Sequence, residues 1–205
     1  MPTLIGICGG SAAGKTLLCA HLKDLLGDEA SVLSQDSYYR DIGPLSTEER
    51  LKVNFDCPDA IDEEHFLQDL KRLRNGESIR VPTYDYASCS RTGHSRPQAP
   101  THIILVEGLF LLTLEEIRRA LDHTFFVDCP DEVRVRRILR RDLNERGKTY
   151  DVAWTNIQTF VLPMHRKHID PYKKFAEKIF ANDGDDTSAL REAAQNIVRL
   201  IQAGT

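Results

Sequence analysis

The segment that most restricts the fold of this chain is Gly9–Thr16, which reads GGSAAGKT and fits the pattern G-x-x-x-x-G-K-[ST] in full. An apolar run, Thr3–Cys8, precedes this segment, and Lys15–Leu26 follows it with leucines at helical spacing. This order predicts a strand, a glycine-rich turn and a helix, whose converging backbone N–H groups and positive N-terminus bind phosphate. The alternative is a glycine-rich turn with a chance lysine, and the flanking strand and helix argue against it.

The rest of the chain alternates short apolar strands with amphipathic helices. Strands are predicted at 32–34, 102–106, 124–128 and 178–181, and helices at 62–75, 113–121, 130–145, 150–169 and near the end. Uniformly apolar strands that alternate with helices predict an α/β fold, in which helices cover both faces of a parallel sheet. With 205 residues, 41% of them hydrophobic and 28% charged, the chain has the length and composition of one globular domain, 1–205.

Charge and cysteine content exclude several classes of protein. The net charge of −4 argues against a general binder of nucleic acid, which would be basic. Five cysteines, an odd number without a C-x-x-C pair, argue against a disulfide framework and a structural zinc site. The N-terminus lacks the basic region of a signal peptide, and no apolar run reaches 18 residues. We therefore expect a cytoplasmic protein that binds neither nucleic acid nor membrane.

One polar stretch, residues 77–100, interrupts the alternation of strands and helices. It contains Pro82, Pro97, Pro100 and two tyrosines. A loop or hairpin of this length within a compact domain is usually functional or disordered. We interpret it as an insertion that covers the substrate, with a mobile surface loop as the alternative.

Acidic residues at strand ends are candidates for metal binding and catalysis. Glu107 ends the apolar run 103–106, where a carboxylate beside the phosphate loop could hold Mg²⁺ together with the Thr16 hydroxyl. Asp36 follows the predicted strand 32–34, and acids at this position of a parallel sheet face the ligand crevice. Asp56 is a second candidate for the base that phosphoryl transfer to a hydroxyl requires. Each of these acids could alternatively be an ordinary turn or capping residue.

Seven basic residues lie between Arg134 and Lys148. At about 100° per residue, Arg134, Arg137 and Arg141 lie within about 60° of one another on the predicted helix. The opposite, apolar side is predicted to hold Val135, Ile138, Leu139 and Leu143. We interpret residues 134–150 as a lid whose arginines close over transferring phosphates. A solvated basic helix face is the alternative.

The chain lacks the Asn-Lys-x-Asp motif of a GTPase, and it resembles the uridine–cytidine kinase family, within the wider uridine kinase and phosphoribulokinase group of phosphate-loop kinases. The resemblance covers roughly residues 3–180. The segments that carry it are, in order, GGSAAGKT, LSQDSYYRD, NFDCPDAID, VPTYDYASCSR, LVEGLF, FVD and RDLNERG.

This resemblance implies an enzyme that transfers the γ-phosphoryl group of ATP, with Mg²⁺, to the 5′-hydroxyl of a nucleoside. Asp36 would be the general base, and Lys15, Arg141 and Arg146 would act on the transferring phosphoryl group. The metal would be held by Thr16, Glu107 and Asp36. The residues that would bind ATP are Gly9, Ser11, Ala12, Ala13, Gly14, Lys15, Thr16, Leu17 and Arg137.

The same resemblance assigns the nucleoside site. Asp56 would accept hydrogen bonds from the ribose hydroxyls, and aromatic rings would line the base pocket. The residues implied are Tyr39, Phe55, Asp56, Tyr84, Tyr86, Cys89, Lys148 and Asn156. Family members also often form homo-oligomers, so a homo-oligomer is possible by analogy.

Three residues on the nucleoside side depart from the family pattern. Cys89 stands where the family has histidine, Ile138 where it has arginine, and Asn156 where it has glutamine. These departures leave open a kinase of another small alcohol, such as a different riboside, a sugar phosphate or a pantothenate-like acid. A nucleotide-binding regulator without catalysis is a third possibility, and the intact Lys15 and Asp36 argue against it.

Overall fold

The computed structural model describes residues 1–43, 45–46, 49, 53–85, 90–184 and 186–203. Its strands are β1 (Thr3–Gly9), β2 (Ala30–Ser34), β3 (Ile79–Asp85), β4 (Ser90–Gln98), β5 (Ile103–Gly108), β6 (His123–Asp128) and β7 (Lys178–Ala181). Its helices are α1 (Lys15–Leu26), α2 (Glu63–Arg74), α3 (Glu115–Arg119), α4 (Asp131–Asn144), α5 (Tyr150–Asn156), α6 (Leu162–His168) and α7 (Ser188–Ala203).

Five of the strands form a parallel sheet in the order β2-β5-β1-β6-β7. The apolar β1 lies at the centre, paired with β5 on one side and β6 on the other. Because the strands are parallel, the carboxyl ends of β1, β2 and β5 meet at one edge of the sheet. The phosphate-loop motif, Asp36 and Glu107 therefore come from neighbouring strand ends.

Side chains of the central strand alternate between two apolar cores, one on each face of the sheet. Leu4 and Cys8 pack in the core that includes Phe66 and Leu70 of α2. Ile5 and Ile7 pack in the other core, which α1 and α7 complete. This burial on both faces explains the uniformly apolar strands, and it confirms the predicted α/β fold.

The polar stretch 77–100 contains an antiparallel hairpin of β3 and β4. Its register runs from Ile79 opposite Gln98 to Asp85 opposite Ser90, with a shift between Pro82 and Tyr84. Proline cannot donate a ladder hydrogen bond, so an irregularity at Pro82 is expected. The buried Ile79 and Val81 anchor the hairpin in the core that contains Phe66.

The helix predicted at 150–169 is confirmed as one continuous helical run, in which a π-helical turn at Ile157–Val161 lies between α5 and α6. Pro163 lacks an N–H and its ring crowds the preceding turn, and the wider turn accommodates both effects. The helix predicted at 113–121 is shorter, at Glu115–Arg119, since the backbone at Leu114 is extended (ψ 108°) and the first helical residue follows it.

Two further findings concern the cysteines and the possibility of a membrane-spanning helix. Cys8, Cys19, Cys57 and Cys129 are free thiols. Within the described ranges, no helix combines the length and the apolar character needed to cross a bilayer.

Candidate active site

The phosphate loop after β1 has a backbone that requires its motif glycines. Gly9 and Gly14 have φ angles of +152° and +109°. A Cβ atom at Gly9 would lie 2.5 Å from the Val127 carbonyl oxygen, and one at Gly14 would lie 2.5 Å from Asn182 Nδ2. Ala12 also adopts a positive φ of +59°, an unusual conformation for a residue with a side chain. The loop is thus held in one conformation by the packing around it.

Some residues of the motif are buried within the loop, and others line the cavity beside it. Gly9 and Ala13 are buried, and the Ala13 N–H donates to the Gly10 carbonyl (3.1 Å). Lys15 Nζ also donates to the Gly10 carbonyl (2.9 Å), so its charge lies over the loop. The predicted residues that line the cavity are Ser11, Ala12, Gly14, Lys15, Thr16 and Leu17.

Thr16 and Glu107 meet at the edge of the sheet, where the Thr16 hydroxyl donates to Glu107 Oε2 (2.8 Å). Two neighbouring ligands of an octahedral Mg²⁺ lie about 2.9 Å apart, so this pair of oxygens fits that ion. The described ranges contain no cluster of three or more His, Cys, Asp or Glu side chains suited to a metal. A Mg²⁺ ion here would therefore also need phosphate or water oxygens, as is usual for this metal.

Asp36 lies in a 3₁₀ turn, Gln35–Tyr38, directly after β2. Buried contacts fix this turn on both sides of Asp36. The Gln35 side chain accepts the Phe110 N–H (2.9 Å), and the Tyr38 hydroxyl donates to Asp69 (2.8 Å). Burial raises the pKa of Asp36, and the Lys15 charge opposes that shift. The turn therefore presents a carboxylate of increased basicity beside Lys15.

Asp56 reaches the same cavity from a different segment of the chain. Its N–H donates to the Asn54 side chain (2.9 Å), which orders the turn. Burial raises the pKa of Asp56 to about 6, and the charge of Asp36 adds to this effect. Two carboxyl groups thus face one cavity, and each makes ionisation of the other less favourable.

Three aromatic side chains form one wall of the cavity. The ring centroid of Tyr39 is 5.4 Å from that of Phe55 and 5.4 Å from that of Tyr84. Arg91 of β4 joins the hairpin to this wall, because its Nε donates to the Tyr39 carbonyl (3.0 Å) and its Nη2 contacts Asp62 (3.1 Å). Tyr86 and Cys89, which the sequence also assigned to this wall, lie outside the described residues.

Asp142 at the end of α4 collects the cations of the predicted lid, a role that the sequence analysis missed. Its side chain is 2% exposed, and it contacts Lys148 (2.9 Å), Arg141 (3.4 Å) and Arg146 (3.5 Å). Its backbone carbonyl also accepts the Lys148 N–H (3.0 Å). The signal was an acid within a run of arginines, which in sequence is indistinguishable from an ordinary surface residue.

The two predicted faces of α4 need correction. Ile138 was placed opposite the arginines, but it is buried and lines the cavity beside Arg137 and Arg141. Leu143, placed on the apolar face, is exposed. At about 100° per residue Ile138 lies about 40° from Arg134, so it belongs to the arginine side, and that side itself packs inward against the phosphate loop. Arg137 shows this, because its Nη1 donates to the Ala12 carbonyl (3.3 Å) and its Nη2 donates to the Gly184 carbonyl.

The whole cavity has a volume of about 1240 Å³ and is continuous from the phosphate loop to α5. Asn156, Val152 and Phe160 line its far side. Most sites for one small molecule have a volume of 300–1,000 Å³, so this cavity has room for two reactants. The structure thus brings together in one cavity the predicted base, the three predicted metal ligands, the aromatic wall, and the predicted lid cations Arg141, Arg146 and Lys148.

This arrangement of parallel sheet, helices and phosphate loop defines a phosphate-loop kinase fold. Phosphoribulokinase from Rhodobacter spheroides superposes with a TM-score of 0.64 at 14% identity, covering 88% of this chain and 70% of that one. D-glycerate 3-kinase from Cryptococcus neoformans superposes with a TM-score of 0.64 at 15% identity, covering 89% and 86%.

The chain belongs to the phosphoribulokinase/uridine kinase family, because the model of that family matches residues 4–187. It is 40% identical over 201 residues to a uridine kinase of Macrococcus caseolyticus, which covers 98% of each chain. It is 38% identical over 200 residues to a uridine kinase of Staphylococcus aureus, which covers 97% of each chain. These matches confirm the family predicted from the sequence motifs.

Proposed function

We propose that this protein is an ATP-dependent kinase that phosphorylates the 5′-hydroxyl of a nucleoside, with uridine and cytidine as the first candidates. The observation that carries the proposal is one cavity with the phosphate loop and Asp36 beside an acceptor wall of Asp56 and three aromatic rings. The uridine kinase relatives, similar over nearly their full length, support a nucleoside as the acceptor.

The residues of the cavity have complementary tasks in this reaction. Asp36 accepts the proton of the acceptor hydroxyl, whose oxygen forms the new bond to the γ-phosphorus while the bond to the β–γ bridging oxygen breaks. Lys15, Arg141 and Arg146 stabilise the negative charge that spreads over the transferring group and the departing diphosphate. Thr16, Glu107 and Asp36 would hold Mg²⁺, which when bound neutralises charge on the β- and γ-phosphates.

On the acceptor side, Asp56 as a carboxylate accepts two ribose hydroxyl hydrogen bonds. The rings of Tyr39, Phe55 and Tyr84 give a flat base an apolar wall to stack against. Lys148, held by Asp142, lies at the lid end of the cavity, and Asn156 is an amide on its far side.

A second candidate is a kinase of the same fold for another small alcohol. The observation that favours it is that Ile138 and Val161 line the cavity together with Asn156, and both pack in one apolar cluster with the buried Ile157. An apolar wall cannot read the polar edge of a base, so it separates similar acceptors by only about 1–3 kcal/mol. The intact set of Lys15, Thr16, Asp36 and Glu107 argues against a regulator without catalysis.

An assay of ADP release over a panel of acceptors tests the proposal. The panel contains uridine, cytidine, one purine nucleoside, a sugar phosphate and a pantothenate-like acid, and Lys15→Met is the inactive control. We expect ADP release that depends on a nucleoside, with product phosphorylated at the 5′ position. Release that depends on the sugar phosphate or the acid, and on no nucleoside, would establish the second candidate.

A further inference from the structure

A fully buried arginine packs against the phosphate loop from α4. Arg134 is 0% exposed, and its Nη1 lies 2.7 Å from the point that a Cβ atom at Gly10 would occupy. The same nitrogen donates to the Ser11 carbonyl (3.5 Å), and Nη2 donates to Asp131 (2.6 Å). Its Nε has no hydrogen-bond partner among the described residues. The sequence analysis grouped Arg134 with the lid, but these contacts place it at the loop.

Three other side chains complete this loop-backing cluster, which consists of Asp131, Arg134, His165 and Arg166. His165 Cε1 lies 3.0 Å from the same point above Gly10, and burial lowers the pKa of His165 to about 4. The imidazole is therefore neutral at pH 7. The other carboxylate oxygen of Asp131, Oδ2, forms an ion pair with Arg166 Nη2 (2.9 Å). The cluster thus carries two cations and one anion, beside the loop that receives phosphate.

A buried guanidinium that shares a single carboxylate is costly for the folded protein. The cost is offset when anions occupy the neighbouring loop, since attraction between charges is strong where water is excluded. Burial raises the pKa of Asp56, and the charge of Arg134 is one of several that oppose this shift.

We propose that Arg134 is a positioning residue for the polyphosphate of the donor, which supports the Gly10–Ser11 part of the loop and adds buried positive charge behind it. This inference rests on the proposed function only in taking ATP as the donor. It is independent of the identity of the acceptor. Nucleotide binding and the stability of the ligand-free protein are therefore its direct readouts.

Arg134→Met tests the proposal, because it removes the charge and retains an unbranched side chain. Asp131 is 35% exposed and keeps Arg166 as its partner, so removing the charge of Arg134 leaves no buried charge without a counter-ion. We expect the ligand-free variant to melt at or above the temperature of the unmodified protein. We expect its Kd for ATP, and for inorganic tripolyphosphate, to rise about tenfold or more. The KM for the acceptor should change little.

Two further variants test whether the change in affinity is specific to the buried charge of Arg134. Arg136→Met removes the same charge from an exposed position on the same helix and should leave the Kd for ATP within about twofold of the unmodified value. Arg134→Lys retains the charge and should recover most of the affinity, even where Arg134→Met fails to fold. The Kd values for ATP and for inorganic tripolyphosphate are measured by titration calorimetry.

The outcomes separate the two proposals. Unchanged tripolyphosphate affinity in Arg134→Met, or a folded Arg134→Lys that binds as weakly as Arg134→Met, would overturn the role of Arg134. If the unmodified protein binds tripolyphosphate but not ATP, the proposed function is wrong. The role of Arg134 is then still decided by the tripolyphosphate affinity of the variants. If the unmodified protein binds neither, both proposals are overturned.

Discussion

The two halves of the cavity are built in different ways. The donor half comes from one continuous segment, Gly9–Leu17, whose backbone is fixed by φ angles and by packing against Val127 and Asn182. The acceptor half is assembled from separate segments that contribute Tyr39, Asp56, Tyr84, Lys148 and Asn156. A site made of one backbone segment can be identified from its motif. A site made of side chains from several elements depends on how the whole domain packs.

The two halves of the cavity also differ in their electrostatics. In the donor half, the backbone N–H groups of the loop, Lys15 and the buried Arg134 favour the binding of anions. In the acceptor half, Asp36 and Asp56 are two carboxyl groups with raised pKa values in one cavity. Donor-half substitutions should therefore change nucleotide affinity, and acceptor-half substitutions should change acceptor affinity or the rate alone.

The largest expected effect comes from comparing Asp36→Asn with Lys15→Met. Asp36→Asn keeps the shape of the side chain but cannot accept a proton, so kcat should fall about 10²- to 10⁴-fold with the Kd for ATP little changed. Lys15→Met removes a charge from the phosphates and should weaken both ATP binding and the rate. Steady-state kinetics and ATP titration measure these values. More than about a tenth of the rate remaining in Asp36→Asn would contradict its role as base.

The next effect concerns Asp142, which belongs to neither half and holds three lid cations in place. Asp142→Asn removes the shared anion, so Arg141, Arg146 and Lys148 lose their common orientation. We expect kcat to fall about 10- to 100-fold through misplacement of groups that act on phosphate. Glu132→Gln, an exposed acid on the same helix, is the control. A normal kcat in Asp142→Asn would show that the lid cations orient without it.

The sequence predicted the donor half well because its determinants are local. The motif Gly9–Thr16, its flanking strand and its helix specify the loop, and the parallel sheet places the strand-end acids Asp36, in the acceptor half, and Glu107 beside it. The same reasoning failed on α4. It grouped Arg134 with the lid and placed Ile138 opposite the arginines, whereas Arg134 is fully buried at the phosphate loop and Ile138 lies beside Arg137 and Arg141 in the cavity. Tertiary packing decides which face of such a helix is inside.

Other features depend on contacts that no periodicity reveals. The meeting of Tyr39, Phe55 and Tyr84 follows from the docking of the hairpin, which Arg91 secures. The residue roles remain predictions until they are tested. The cytoplasmic location and the homo-oligomer also remain predictions.

A smaller effect tests whether the donor half is packed as tightly as its geometry indicates. A Cβ atom at Gly10 would lie 2.7 Å from Arg134 Nη1 and 3.0 Å from His165 Cε1. Gly10→Ala should therefore reduce the free energy of unfolding by about 1–3 kcal/mol, the usual cost of overpacking. In an Arg134→Met background the cost should be less than half, since a flexible thioether yields more easily.

Urea denaturation of the two single variants and the double variant gives the coupling free energy between the sites. Gly10→Ala in the Arg136→Met background is the control, and it should retain the full cost. Additive effects of Gly10→Ala and Arg134→Met would show that Arg134 does not limit the space above Gly10.

The smallest expected effect tests the acceptor half through the pH dependence of stability. Burial raises the pKa of Asp56 from 3.8 to about 6, so between these values the folded protein binds its proton more tightly than the unfolded chain. Stability should therefore fall as pH rises from about 4 to 6 and then stay level. Asp56→Asn has no such proton, so above pH 6 it should be more stable than the unmodified protein by about 1 kcal/mol.

The same variant should lose acceptor affinity, because a neutral amide is a weaker acceptor for two hydroxyl groups than a carboxylate is. Asp59→Asn removes an exposed acid from the same segment and is the matched control for both measurements. Thermal melts at pH 4 and pH 8 measure the effect on stability, and the acceptor KM at pH 8 measures the effect on binding. A loss of stability at pH 8 in Asp56→Asn would mean that the carboxylate supports the fold. A gain in stability together with a raised KM would mean that the acceptor half gives up stability to hold a charge that serves only the substrate.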